Sequence, residues 1–217
     1  MNSVLRSSYK TIIISASYSF VKVLTLSKII GYRLSFFSMS QLVTPILALH
    51  ITSTELIGLT TLRTLFHLLM YPASGILGVL YHLPTLVGAL YFKASFDDTS
   101  KIARIVAPLV CMALFVSTSV GSQAWAYSFF WLTPFLISLI PHRSLFLSSL
   151  ASTFMAHAVG SVLFIVSTPM IPAFWLGLIP LVAFERSMFA AGITALYYAM
   201  KVIQQLFRIL SVRFAHA

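Results

Sequence analysis

Charged residues are absent from four long stretches of this chain. No Asp, Glu, Lys or Arg occurs in residues 34–54, 64–92, 105–142 or 144–184. Each stretch reaches or exceeds the roughly 20 apolar residues that a helix needs to cross a hydrocarbon core about 30 Å thick. The pattern therefore predicts an all-α integral membrane protein, a bundle of helices surrounded by membrane lipids.

The composition agrees with a membrane bundle and argues against other classes. The chain has 217 residues, of which 59% are hydrophobic and 8% are charged, whereas soluble domains carry about 25% charged residues. The net charge of +10 comes from scattered Lys and Arg. An excess of Lys and Arg is typical of the cytoplasmic segments of membrane proteins. Scattered basic residues without a soluble domain to present them do not predict nucleic-acid binding. The single cysteine, Cys111, excludes an intrachain disulfide and a CxxC motif.

The basic residues divide the chain into three regions. Residues 1–33 carry basic charges, no acid, and an apolar core too short to span a bilayer. This predicts a cytoplasmic interfacial segment, with a cleaved signal or transit peptide as the alternative. Residues 34–200 are expected to form the transmembrane bundle and residues 201–217 a basic cytoplasmic tail. The expected location is the inner or plasma membrane of a prokaryote, an organelle membrane being the alternative.

The same basic segments predict the topology. If residues 1–33, 93–104, 201–217 and Arg143 all lie in the cytoplasm, each interval between them crosses the membrane an even number of times. Residues 54–72 then form a short or re-entrant helix on the outer side, and a third crossing there, giving seven helices, is the alternative. Both termini are expected to be cytoplasmic. The six expected helices are roughly 34–53, 73–92, 104–119, 124–141, 145–167 and 180–200.

Several ionisable side chains fall at a similar depth in the predicted spans. With a rise of about 1.5 Å per residue, His50, His157 and Glu185 lie about 21–25 Å from the inner face. Intramembrane ionisable groups usually face the bundle interior and serve function. We therefore expect a substrate-binding site here, the alternative being a network that only fixes helix packing. The candidate binding residues are His50, Arg63, His67, His157, Trp175, Glu185 and Arg186.

Three further expectations concern the partners of these side chains. Glu185 and Arg186 are adjacent and point about 100° apart on a helix, so a direct ion pair between them is not expected. Glu185 is expected to pair across helices instead, with His157 or Arg63. His82, nearer the inner face, is interpreted as a core histidine.

Aromatic residues are expected at the membrane interfaces. Trp125, Tyr127 and Trp175 lie near predicted outer helix ends, and Tyr32 and Tyr91 lie near inner ends. Belts of Trp and Tyr at both interfaces are typical of membrane proteins.

Small residues form two stripes at helical spacing. Ala191, Ala195 and Ala199 follow one another four residues apart, as do Ala156 and Gly160. Such stripes let helix backbones approach closely. They predict either packing within the chain or a docking surface for another membrane subunit.

Motifs for catalysis are missing from the sequence. It contains no HExxH and no GxSxG pattern, and Glu185 is the only acid after Asp98, so two-metal chemistry lacks its ligands. It also contains no P-loop. The sequence therefore predicts a non-enzymatic protein without a cofactor or metal ion.

Four segments carry a resemblance to a known family: residues 37–45, 81–91, 156–161 and 180–186. Their organisation resembles the S components of energy-coupling-factor (ECF) vitamin transporters, which are chains of about this length with six helices and an outward ligand pocket. The resemblance implies a subunit that binds a vitamin-like small molecule and relies on a coupling membrane subunit and ATPases from other chains. The family's AxxxA coupling motif lies in its first helix, whereas here the run of alanines lies in the last.

Overall fold

The structure is a computed structural model that describes residues 40–72, 80–97, 100–141 and 143–215, without the side chains of Ser40 and residues 207–215. Segment 1–33, with its expected interfacial helix or cleaved peptide, lies outside these ranges, as does Tyr32. The regular elements within them are all helical. In chain order they are α1 (Ser40–Ala48), α2 (Ser53–Met70), α3 (Leu83–Phe96), α4 (Lys101–Val116), α5 (Ser119–Gln123), a 3₁₀ helix (Trp125–Trp131), α6 (Leu132–Leu139), α7 (Leu145–Ser167), α8 (Pro172–Gly177) and α9 (Ile179–Ala215).

The longer helices pack side by side, and their ends meet at two levels. We name these levels after one residue each. The Lys93 end contains the last turns of α1, α3 and α6 and the first turns of α2, α4 and α7. The Trp175 end contains the last turns of α2, α4 and α7, the first turns of α3 and α9, and all of α8. Two bonds show the antiparallel pairing of α3 with α7: Ser152 Oγ donates to the Gly88 carbonyl at 2.7 Å, and Arg143 Nη2 donates to the Ser95 carbonyl at 3.2 Å.

Local sequence signals explain where several helices begin. The Ser144 hydroxyl accepts a hydrogen bond from the Leu147 N–H at 3.2 Å, which caps α7. Helix α7 has the bounds that the sequence predicts, 145–167. Helix α2 begins with a capping box, in which the Thr52 hydroxyl and the Glu55 carboxylate each bond the other residue's backbone N–H. Pro180 occupies the first turn of α9, where a missing N–H costs nothing.

Helix α9 continues well beyond its predicted end. The sequence predicts a helix over 180–200 and a tail from residue 201, whereas the helix runs to Ala215. At 37 residues it is about 55 Å long, which exceeds a hydrocarbon core of about 30 Å. Its last turns therefore extend past the Lys93 end of the bundle.

Tyr91 of α3 bonds to α4 and to α6. Its partner in α4 is a backbone carbonyl that lacks its usual helical hydrogen bond because of a proline. Pro108 lies inside α4 and has no N–H for the carbonyl four residues earlier, which belongs to Arg104. The Tyr91 hydroxyl lies 3.1 Å from that carbonyl, 2.8 Å from the Pro134 carbonyl and 2.6 Å from Ser138 Oγ. Tyr91 is 6% exposed, so its expected place in an aromatic belt is wrong; it belongs to the interior.

Helix α7 exposes apolar side chains and buries several hydroxyl groups. The exposed side of α7 carries Phe146, Phe164 and Val166, which are 39%, 40% and 66% exposed. Its buried side is rich in hydroxyl groups, as expected for helices that pack within a membrane. The buried hydroxyl residues of α7 are Ser148, Ser149, Ser152, Thr153 and Ser161.

Two of the described helices are long and apolar enough to cross a membrane. They are Leu145–Ser167, which is α7, and Ile179–Leu206, which is most of α9. Length and composition thus indicate association with a membrane.

Helices α3 and α7 approach each other closely where both carry small residues. A Cβ added to Gly88 would lie 2.8 Å from the Ala156 Cβ and 3.1 Å from the Ser152 carbonyl oxygen. A Cβ added to Gly160 would meet Pro84 at 3.6 Å. The stripe of Ala156 and Gly160 therefore packs within the chain.

The path of the chain from α1 to α3 differs from the expected hairpin. Lys93 Nζ donates to the carbonyls of Ala48, at 3.1 Å, and Ile51, so α1 ends at the Lys93 end. Gln41 lines a small cleft with Thr85, so α1 and α3 run in the same direction. Helix α2 begins with its capping box a few residues after the end of α1. The 18 residues of α2 carry the chain back over about 27 Å.

Candidate functional site

Four of the seven predicted site residues lie in one region toward the Trp175 end. His157 lies on α7, Trp175 on α8, and Glu185 and Arg186 on α9. Val182, one turn before Arg186, packs in the same core as Tyr127 and Trp175. We define the polar core cluster as Tyr127, Trp131, His157, Ser161, Trp175, Glu185 and Arg186.

His157 is held by side chains from its own helix and from the 3₁₀ helix. Its Nε2 lies 2.6 Å from the Tyr127 hydroxyl and 3.4 Å from Ser161 Oγ, and the imidazole tautomer decides which group donates. Tyr127 is fully buried, so its hydroxyl needs such a partner. This contact fixes the 3₁₀ helix against α7.

Aromatic rings close one side of the polar core cluster. The ring of Phe115 lies 5.1 Å from the rings of Trp131 and Trp175, and the Tyr127 ring lies 5.1 Å from Trp175. Trp175 is 3% exposed and Tyr127 is buried. Their assignment to an outer aromatic belt is therefore wrong, because both rings point into the bundle. Trp125, at 53% exposure, faces outward as a belt residue does.

Two indole N–H groups of this cluster are buried without an acceptor. Within the described residues, Trp131 Nε1 and Trp175 Nε1 have no hydrogen-bond partner. A buried donor left unsatisfied costs about 1–3 kcal/mol, and such groups are rare in folded proteins. These two donors are the chemical feature of the site that most needs an explanation.

Glu185 and Arg186 form an ion pair with each other, contrary to expectation. Glu185 Oε2 lies 3.5 Å from Arg186 Nη2, with the side chains 20% and 2% exposed. The long Arg186 side chain covers the 100° between the two positions, and its guanidinium also lies over the Phe189 ring at 4.9 Å, a favourable cation–π contact. The ion pair of Glu185 is therefore within α9, and it joins Glu185 to neither His157 nor Arg63.

His50 does not belong to this cluster, and its predicted depth is wrong. It is exposed and lines a groove at the Lys93 end together with Asp97 and Lys201. The predicted depth assumes that the helix over 34–53 runs outward from the inner face. The structure instead brings the end of α1 to the Lys93 end, so His50 lies at the opposite end of the bundle from His157.

His67 and Arg63 also lie apart from the polar core cluster, on α2. The His67 ring stacks on Tyr81 at 6.0 Å and meets His82 edge-on at 5.7 Å. His82 is 6% exposed, which confirms its interpretation as a core histidine. Arg63 is partly buried on the same helix.

The alanine stripe of α9 faces the outside of the bundle. Ala191, Ala195 and Ala199 are all exposed. Packing within the chain therefore does not explain this stripe, in contrast to Ala156 and Gly160.

Sequence reasoning missed two members of the cluster. Trp131 was not singled out, and Tyr127 was expected at an interface. The segment 125–131 holds five aromatic residues, and this density was the available signal. In the described residues no three His, Cys, Asp or Glu side chains group as metal ligands. The cluster offers hydrogen-bond donors, a guanidinium and aromatic faces, which suit a polar ligand with acceptor oxygens.

Comparison of the chain with protein-family models, with curated proteins and with solved structures finds no match. The geometry of the polar core cluster and of the bundle surface therefore carries the functional argument.

Proposed function

We propose that this chain is a polytopic membrane protein that binds a small molecule for an importer of the ECF type, without catalysis of its own. The proposed location is the inner or plasma membrane of a prokaryote. A coupling membrane subunit and ATPases from other chains would supply the energy, because the sequence holds no P-loop. The ligand would occupy the polar core cluster.

The two buried indole N–H groups carry this proposal. Trp131 and Trp175 point to an acceptor that the described residues do not supply. Oxygens of a ligand would satisfy both donors, and the Arg186 guanidinium nearby would pair with an anionic group. The rings of Phe115 and Tyr127 offer flat apolar faces of the kind that line small-molecule sites. A vitamin-like ligand with a planar ring and a carboxylate combines these features.

The helix directions support seven membrane crossings, the alternative topology of the sequence analysis. Helices α1, α2 and α3 alternate in direction and would make three crossings. Helix α4 and the 3₁₀ helix with α6 would add two more, and α7 and α9 the last two. Helix α2 exposes Leu62, Phe66 and Leu69 at 64%, 63% and 80%, as a lipid-facing helix does. Ser40 and the last turns of α9 then lie on opposite sides of the membrane, with the basic Lys93 end in the cytoplasm.

The exposed alanine stripe of α9 supports a partner. A helix face of small residues allows another membrane helix to approach closely, and none of the described helices covers Ala191, Ala195 or Ala199. We propose this face as the docking surface for the coupling subunit.

Replacing Ala195 with leucine is expected to abolish recovery of that partner while the chain stays folded. The added side chain projects from the middle of the stripe and blocks close approach. The matched control is Ala113→Leu, the same change at an exposed alanine of α4. Affinity purification from the native membrane, with quantitative proteomics, compares the recovered membrane subunits and ATPases. Equal recovery with both variants would mean that the stripe contacts lipid.

Replacing Glu185 with glutamine is expected to strengthen the retention of a bound anionic small molecule while the bundle stays folded. The change removes a carboxylate that repels the anionic group of the ligand and competes with it for the Arg186 guanidinium. Native mass spectrometry measures the co-purified small molecule, and thermal unfolding in detergent measures stability. Glu55→Gln is the matched control, since glutamine also completes a capping box.

The second candidate function is a structural one, and the mutual bonding of the cluster favours it. Tyr127, His157 and Ser161 bond one another, and Glu185 pairs with Arg186. If these contacts only fix packing, Glu185→Gln strands a buried cation and destabilises the bundle by about 3–5 kcal/mol. Adding Arg186→Met would then restore stability. That pair of results, without any bound molecule in the unmodified protein, would contradict the binding function.

A further inference from the structure

The groove at the Lys93 end differs in its chemistry from the polar core cluster. It has a volume of about 350 Å³, within the range of about 300–1,000 Å³ that small-molecule sites occupy. It lies between the end of α1, the end of α3 and the middle of α9, far from the polar core cluster. Its polar lining residues are His50, Asp97, Lys201 and Gln204.

The groove is lined by polar and apolar groups that differ in exposure. The four polar residues are exposed, whereas Ile46, on the wall, is 1% exposed. Leu49, Tyr197 and Met200 continue this apolar wall. The ligand that fits such a lining is an amphiphile with a polar headgroup and a hydrocarbon part.

The charges of the groove select the headgroup. Lys201 Nζ lies 5.2 Å from the centre of the Tyr197 ring, a cation–π contact that holds the ammonium at the apolar wall. Lys201 and His50 offer donors for a phosphate. Asp97 brings a carboxylate to the same groove, which repels a purely anionic headgroup and pairs with an amine. A headgroup with both a phosphate and a primary amine would pair with Lys201, His50 and Asp97 together.

The position of the groove suits a membrane lipid. Lys93, Lys101, Arg143 and Lys201 gather at this end of the bundle, as at the cytoplasmic surface of membrane proteins. Basic pockets between helices at this surface bind lipid headgroups. We infer that the groove binds a phospholipid of the phosphatidylethanolamine type, with its phosphate at Lys201 and His50 and its ammonium at Asp97. This inference rests on the proposed membrane location and not on a ligand in the polar core cluster.

The test uses the delipidated full-length protein in a neutral detergent. Native mass spectrometry titrates phosphatidylethanolamine, phosphatidylglycerol and phosphatidylcholine separately. We expect the ethanolamine lipid to bind most tightly, and Lys201→Met to weaken it about tenfold, the loss of about 1.4 kcal/mol expected for a charge-assisted bond. Lys101→Met, which removes an exposed cation outside the groove, is expected to change it by less than about twofold.

Asp97→Asn is the second test of the inference. The change removes the carboxylate that is proposed to pair with the lipid amine and to repel anionic lipids. We expect it to weaken the ethanolamine lipid and to strengthen phosphatidylglycerol, which reverses their order. Equal binding of all three lipids, unaffected by Lys201→Met, would overturn the inference. Water-soluble glycerophosphoethanolamine that binds as tightly as the lipid would also overturn it, because the groove would then serve a soluble phosphodiester.

Discussion

Replacing Gly88 with valine is expected to destabilise the bundle by about 1–3 kcal/mol or more, the cost of overpacking a tight interface. The new Cβ would lie 2.8 Å from the Ala156 Cβ and 3.1 Å from the Ser152 carbonyl oxygen. A backbone oxygen cannot swing aside as a side-chain tip does, so α3 and α7 must separate. Their separation also breaks the 2.7 Å bond from Ser152 Oγ to the Gly88 carbonyl, worth about 1 kcal/mol. Thermal unfolding in detergent measures the loss.

Two further variants isolate the close approach as the cause. Gly58→Val makes the same change on α2, where an added Cβ meets nothing within 4 Å, and it is expected to leave stability nearly unchanged. Gly88→Ala combined with Ala156→Gly moves the methyl group from α7 to α3, and it is expected to recover the part of the loss that the 2.8 Å contact with the Ala156 Cβ causes in Gly88→Ala alone. No recovery in the double variant would mean that the helices do not meet at these positions.

A cysteine placed at Thr54 is expected to label from the same side of the membrane as one placed at Lys101. One placed at Tyr71 is expected to label from the opposite side. This all-or-none pattern follows from seven crossings, because α2 carries the chain from the Lys93 end to the Trp175 end. The positions suit the measurement, since all three are exposed and the single native cysteine, Cys111, is buried and replaceable by alanine.

Six crossings give a different pattern for the same variants. Residues 54–72 would then lie wholly on the outer side, and Thr54 and Tyr71 would label together, opposite Lys101. A membrane-impermeant maleimide applied to intact cells and to inverted vesicles distinguishes the two patterns. Labelling of Thr54 and Tyr71 from one side would contradict the proposed topology.

The extent of α7 could be predicted because two independent signals agree there. An apolar run long enough to span begins after Arg143, and Ser144 caps its first turn. The path of α2 could not be predicted in the same way. The charges of Glu55 and Arg63 suggested a segment that stays outside the membrane. The Glu55 carboxylate, however, bonds the Thr52 N–H in the capping box at the first turn of α2. Only the Arg63 charge then remains within the pass.

One part of the candidate site could be predicted from the depth of its residues along their helices. The other part depended on the direction in which a helix crosses, which the sequence does not reveal. The structure places His157, Glu185 and Arg186 in one region, because α7 runs from Arg143 and α9 runs toward Lys201 in the directions assumed; their role in binding stays a prediction. His50 was predicted wrongly, because α1 runs in the opposite direction from the one assumed. Trp175 lies in the polar core cluster and not in an aromatic belt, because its ring turns inward from the short helix α8.

The ion pair within α9 bears on how the chain enters the membrane. A lone charge costs about 2.5–3.5 kcal/mol on insertion at the bilayer centre and less toward the surfaces, so a helix that carries one needs a counterion as it enters. Glu185 and Arg186 lie next to each other and neutralise each other at 3.5 Å. Helix α9 thus carries its own counterion, so its insertion does not have to wait for a partner charge on another helix.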